Sequence, residues 1–252
     1  MILLKKTLLT SLILILLTTL FGCESWHYSD EYITYNSMGD SYTIVTLTEL
    51  GRKQDYIIIP AFVNGHKVEM AGVGLHNNNI GNVMKVFISY EINTWEYDAI
   101  SVSDYGVKVF ILSNYIGSPH NEYHHLYVSS WLYNNLNYGN QGEVVLEDNK
   151  LSYYNATWFF ELVNVANVSY HYNYENSPNE GYYWIDDYNY GGKIFIIPPE
   201  PVREGYRFAG WYKEPECVNK WLFDTDVLPK IAYDENGDII YNETELYAKW
   251  VS

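Results

Sequence analysis

Cysteine is nearly absent: only Cys23 and Cys217 occur in 252 residues, too few for a disulfide framework. Positive charge is scarce as well, with 15 Lys and Arg against 31 Asp and Glu, a formal net charge of −16. Such a chain repels phosphate backbones, which excludes nucleic acid as a partner, and it disfavours lying flat on an anionic membrane. No phosphate loop, dinucleotide fingerprint or paired-carboxylate motif is present, so no cofactor is implied. Aromatic residues are abundant instead. The 27 Tyr and 8 Trp suit pleated, half-buried surfaces, and they also suit an exposed recognition face.

The N-terminus has its own pattern. Lys5 and Lys6 precede an uncharged stretch of Leu, Ile and Thr, which ends in Leu20-Phe21-Gly22-Cys23. A basic start, an apolar core and a small residue before a cut describe a secretory signal. The uncharged run from Thr7 to Cys23 falls short of the ~20 residues of a spanning helix, although an uncleaved anchor helix is the alternative. The ending resembles a bacterial lipobox, with Phe21 bulkier than that family carries. The resemblance implies cleavage after Gly22 and lipid on the Cys23 thiol. Removing residues 1–22 takes two lysines and leaves a charge of about −18. Residues 23–39 read as a polar tether.

Short strand-like segments follow, separated by Asn- and Gly-rich turns. They include Tyr42–Leu47, Tyr56–Pro60, Lys85–Ser89, Val107–Leu112, His125–Val128 and Glu143–Leu146. Val86-Phe87-Ile88 and Val109-Phe110-Ile111 stand 23 residues apart, a spacing at which solenoid units stack one strand on the next. Ile57-Ile58-Ile59-Pro60-Ala61-Phe62-Val63-Asn64-Gly65-His66-Lys67-Val68 resembles the opening of BspA-type leucine-rich repeats. Leu126–Tyr133 is similar to that family's terminal strand and helical cap. The resemblance covers residues 40–148 and implies a short irregular solenoid. It departs from the family where the closing Ala-Phe pair is replaced, as at Ala99-Ile100, and an irregular β-sandwich is the alternative.

The C-terminal part carries a sharper pattern. Pro198-Pro199-Glu200-Pro201-Val202-Arg203-Glu204-Gly205-Tyr206-Arg207-Phe208-Ala209-Gly210-Trp211-Tyr212 resembles the Listeria–Bacteroides repeat, the B-repeat of internalin-type surface proteins. Val168–Tyr174 and Tyr190-Gly191-Gly192 upstream, and Trp221–Thr225 and Thr244–Trp250 downstream, fall in that family's order. The resemblance covers residues 167–252 and implies a small β-grasp-like domain, with residues 149–166 as linker or strand. Tyr206, Phe208, Gly210, Trp211, Trp221, Phe223 and Trp250 are expected to form its structural core. Leu228–Asn242 is an insertion relative to the family. Asn236-Gly237 lies between apolar triplets there and predicts a hairpin tip.

Candidate chemistry is thin. Asp234, Asn236, Asp238 and Glu245 imitate a calcium loop, but Ile239 holds the position that requires Gly. Gly39-Asp40-Ser41 matches an esterase block without a late His base. His120, Glu122, His124 and His125 form a loose His cluster after Gly117-Ser118-Pro119, better read as a solvated turn than a metal site. Cys217 is expected to be a partly buried thiol. No catalytic and no metal residue is therefore assigned. The sequence as a whole is expected to be a mainly β, lipid-anchored surface protein, held by its lipid on the extracytoplasmic face of the cell membrane. Its partner is expected to be a host or neighbouring-cell protein or glycan, bound without catalysis through an exposed aromatic patch on the solenoid face. An extracytoplasmic hydrolase or solute-binding lipoprotein is the alternative.

Overall fold

A computed structural model describes residues 27–252 except 39–40, 70–74, 77–79, 93–99, 102–105, 114–125, 136, 140–143, 148–149 and 155–162. Cys23, Gly22 and the His120–His125 cluster lie outside the described residues. The chain begins with β1 (His27–Ser29), β2 (Ile33–Met38) and β3 (Ser41–Leu47), which pair antiparallel in that order. Residues expected to be tether are thus two paired strands. Asp30 explains the turn between them. Its carboxylate accepts the backbone N–H of Tyr32 and Ile33 and the Tyr35 hydroxyl at 2.8, 2.7 and 2.8 Å. Ile33 and Tyr35 alternate inward and are fully buried.

Next come β4 (Tyr56–Ile59), β5 (Phe62–Val63) and β6 (His66–Glu69). Asn64 and Gly65, both at positive φ, form the tip of the β5–β6 hairpin, as Asn-Gly predicts. β6 then pairs in parallel with β3 to complete a sheet of order β1-β2-β3-β6-β5. Gly51, in the turn before β4, is forced by packing: a Cβ there would stand 2.1 Å from the Tyr32 carbonyl oxygen.

A parallel sheet forms the centre. β7 (Leu75–His76) and β9 (Ile100–Ser101) make a separate parallel pair, while β8 (Lys85–Ile88), β10 (Lys108–Ile111) and β11 (Leu126–Val128) join β4. A six-residue helix α1 (Ser130–Asn135) follows, with the Ser129 hydroxyl accepting the Leu132 N–H as its cap. Strands β12 (Asn137–Gly139), β13 (Val144–Glu147) and β14 (Lys150–Tyr154) form a separate three-stranded sheet. β15 (Val163–Val165) then returns to pair with β11, so the element expected to be terminal has a further strand beyond it. In register, Ile57, Val86, Val109, Leu126 and Val163 stand side by side. The 23-residue step expected between Val86 and Val109 is one rung of this ladder, and the other steps differ in length.

The C-terminal region is a four-stranded sheet of order β17-β16-β21-β18, made by β16 (Val168–His171), β17 (Tyr182–Asp186), β18 (Arg207–Tyr212) and β21 (Thr244–Val251). β19 (Ala232–Tyr233) and β20 (Ile239–Ile240) form the expected hairpin, with Gly237 at positive φ. Residues 192–206 run without strand pairing, consistent with Pro198, Pro199 and Pro201, which lack backbone donors.

Both faces of the parallel sheet are buried, because residues alternate between two cores. Ile57, Val86, Ile88, Val109, Ile111, Leu126 and Val128 pack with the N-terminal sheet. Phe87, Phe110 and Tyr127 face the other way and pack with Tyr170, Trp184, Ile185 and Trp211 of the C-terminal region. Phe87 lies 4.8 Å from Phe110 and 4.3 Å from Trp184, ring centre to ring centre. Among the described residues, the rings of Phe87, Phe110 and Tyr127 on this face are buried, spent on joining the two halves. Phe110→Ala should cost about 3–5 kcal/mol, as deletion of a buried aromatic ring does. Urea unfolding followed by tryptophan fluorescence should show one shifted transition, and two separated transitions would refute a shared core.

Candidate functional site

The junction between the halves holds most of the unusual chemistry. Lys85 is 7% exposed on β8, and the register of the parallel sheet sets it on the same face as Phe87. Its Nζ stands 2.5 Å from Asp186 Oδ1 and 3.1 Å from the Asp187 carbonyl oxygen. It also lies 3.9 Å from the centre of the Tyr188 ring. Burial pulls the Lys85 ammonium down and pushes the Asp186 carboxyl up, while their mutual attraction opposes both shifts. One strand along, Lys108 reaches Asp187 at 2.6 Å. Burial lowers that ammonium, but the Asp187 hydrogen bond and charge outweigh it, and the net shift is upward. Asp186 ends β17 and Asp187 follows it, so two adjacent carboxylates clamp two adjacent rungs of the parallel sheet.

This cluster is structural in its chemistry. Both lysines are committed to carboxylates, and Asp186 is fully buried, so no substrate reaches it. Lys85→Met alone should destabilise the protein by about 3–5 kcal/mol, since it strands a buried carboxylate. The double variant Lys85→Met/Asp186→Leu should recover most of that loss in chemical denaturation. A double variant no better than the single would sink this account.

A second constellation lies on β16 and β21. Parallel register sets Ser169 beside Glu245 and His171 beside Tyr247. His171 Nε2 is 3.2 Å from Ser169 Oγ and 3.3 Å from Glu245 Oε1. These are three residue types of a hydrolytic triad in the wrong arrangement. A triad needs opposite ring nitrogens for the nucleophile and the carboxylate, and here both partners meet the same nitrogen. Ser169 is also fully buried. The His171 ring stacks on Tyr247 at 5.0 Å and meets Tyr182 at 4.7 Å.

Burial drives the His171 pKa down to about 4, against the pull of Glu243. The sign of its effect follows. The unfolded imidazole, with a pKa near 6.5, takes up a proton more readily than the folded one. Its contribution to stability is therefore complete above about pH 6.5 and is lost as pH falls toward 4. Denaturation midpoints measured across that window should fall with acidification, and His171→Gln should flatten the fall. An unchanged pH profile in the variant would refute the assignment.

Two clefts open beside this histidine. One, of about 570 Å³, is lined by His171, Asn173, Tyr174, Glu175, Glu180 and Tyr247 among others. The other, of about 510 Å³, is lined by Glu214, Trp221, Glu243, Thr244, Glu245 and Tyr247 among others. Pro215 and Tyr247 border both.

The residues expected to form the C-terminal core divide. Trp211 and Trp221 are buried, at 3% and 6% exposure. Phe208, Phe223 and Trp250 are half-buried against them, with Trp250 Nε1 donating to the Tyr172 carbonyl at 2.6 Å. Gly210 has φ +115 and sits at a bulge in β18, where an added Cβ would meet the Lys220 side chain. Tyr206 is the exception. It is 46% exposed and is not a core residue. Its ring lies under the Arg203 guanidinium at 3.9 Å, and Arg203 also faces Tyr174 at 4.4 Å, so a surface cation–π stack has taken the ring that core packing was expected to bury.

The calcium-like loop is a turn. Asp234 Oδ1 accepts the N–H groups of Asn236 and Asp238, each at 2.9 Å, which closes the β19–β20 hairpin. Among the described residues, no three His, Cys, Asp or Glu side chains converge as metal ligands. Cys217 is half-buried with its thiol pushed up by burial, as expected. Ser41 begins β3. Sequence reasoning missed Lys85, Lys108, Asp186 and Asp187. The only available signal was a Lys before each of two Val-Phe-Ile triplets.

The fold and its clefts define a mainly β protein in which a parallel sheet is capped by a small mixed sheet. Residues 167–249 match the family model of the Listeria-Bacteroides repeat domain, which bears out the C-terminal resemblance. No curated protein and no solved structure matches the chain.

Proposed function

We propose that this is a lipid-anchored surface protein that displays a recognition surface for a protein or glycan on another cell or host, without catalysis. The observation that carries the reading is the pairing of the Listeria-Bacteroides repeat domain with the lipobox-like Leu20-Phe21-Gly22-Cys23. The BspA-type leucine-rich-repeat reading of residues 40–148 belongs to the same proposal. It draws support from the in-register parallel rungs of β4, β8, β10 and β11. The misarranged Ser169–His171–Glu245 group speaks against the hydrolase alternative. In this reading Cys23 carries the lipid, Gly22 precedes the cut, and the acidic body stands away from the membrane.

Cys23→Ala should still be exported but should fail to incorporate labelled palmitate and should leave the membrane fraction. Cells displaying the wild-type protein should bind at least one member of a panel of host matrix proteins and glycans. Retention of Cys23→Ala in the membrane without labelling would overturn the lipid anchor, and an empty panel would overturn adhesion.

A further inference from the structure

We propose that the two clefts meeting at Tyr247 form one continuous groove that binds an arginine- or lysine-bearing segment of another protein; this rests on the display reading and names its binding face. The floor is aromatic. His171 and Tyr247 stack with nearly parallel rings, 20° apart, and Tyr174 and Trp221 line the two ends. The walls are acidic, with Glu175 and Glu180 in the first cleft and Glu243 and Glu245 in the second.

The charge in the groove is uncompensated. Lys213 is the one cation lining either cleft among the described residues, and Asp226 holds it at 2.8 Å. Glu214 is already occupied by the N–H groups of Val218 and Asn219. Burial keeps the His171 ring neutral at pH 7, so it adds no opposing charge.

A second, independent observation points to a ligand rich in donors. Glu243 Oε1 and Thr244 Oγ1 are buried acceptors with no hydrogen-bond partner among the described residues. Both residues line the second cleft. Unpaired buried polar atoms are costly, and in native folds they mark places where a missing group belongs. Planar aromatic floors with carboxylate walls suit a guanidinium, which stacks on a ring and donates from its edge at the same time. A neutral glycan would use the rings but leave four carboxylates uncompensated.

The test titrates the purified full chain with octa-arginine by calorimetry at about 150 mM salt, where distant surface charge is largely screened. A neutral Gly-Ser octapeptide and a tetramer of N-acetylglucosamine serve as comparison ligands. Octa-arginine should bind, and Glu243→Gln/Glu245→Gln should weaken it by about tenfold. The variant Glu31→Gln/Glu49→Gln removes the same charge from turns of the N-terminal region and should leave affinity within about twofold. Tyr247→Leu should weaken binding while keeping a hydrophobic side chain on the strand. Equal weakening by both charge pairs would reduce the effect to diffuse attraction and overturn the groove. So would absence of octa-arginine binding, or binding of the sugar alone.

Adhesion of displaying cells separates this claim from the one beneath it. If octa-arginine does not bind while adhesion persists, the groove falls and display stands. If octa-arginine binds as expected while no adhesion is found, display falls and the groove stands.

Discussion

The aromatic and ionic seam between β8, β10 and β17 is the constraint on which the rest depends. Phe87, Phe110 and Tyr127 give the parallel sheet a second apolar face, and Trp184 with Tyr170 covers it. Lys85 and Lys108 lie on the same face, so joining the halves also buries positive charge. Asp186 and Asp187 answer that charge. The desolvation cost makes this pairing selective more than stabilising: a docking that missed the aspartates would leave a lysine buried and alone. The apolar rings supply the attraction, and the ion pairs fix the register.

Seen this way, the small C-terminal domain is part of the body of the protein. Its insertion hairpin and its proline-rich run remain at the surface, and one side of its sheet is the floor of the second core. The aromatic ladder of the parallel sheet is closed, and two open clefts lie on β21 around Tyr247.

Parts of this were legible beforehand. Asn64-Gly65 and Asn236-Gly237 announced two hairpins, because few residues tolerate the positive φ those turns need. The repeat motif located Trp211 and Trp221 as core, since a small domain has few large rings to bury. The tether was misread because Ile33 and Tyr35 alternate too briefly to stand out, and their partner strand β3 lies further along the chain. Tyr206 was misread because a motif records which residue stands at a position and not which face of the turn it takes.

By itself the sequence determined the composition of each element: acidic and cysteine-poor throughout, β-rich by its branched and aromatic segments, with turns set by glycine and asparagine. These are local properties, fixed by backbone sterics and side-chain shape within a few residues. Only the tertiary structure decided what each face would meet. Val86 and Phe87 are neighbours in the chain, yet one enters the N-terminal core and the other the C-terminal core. A strand alternates every residue, so the pattern shows that both faces are apolar but not what covers them. Lys85 and Asp186 are 101 positions apart, and no local rule links them. Their pairing exists because two halves of the chain share one buried face, and a charge buried there has to find its opposite.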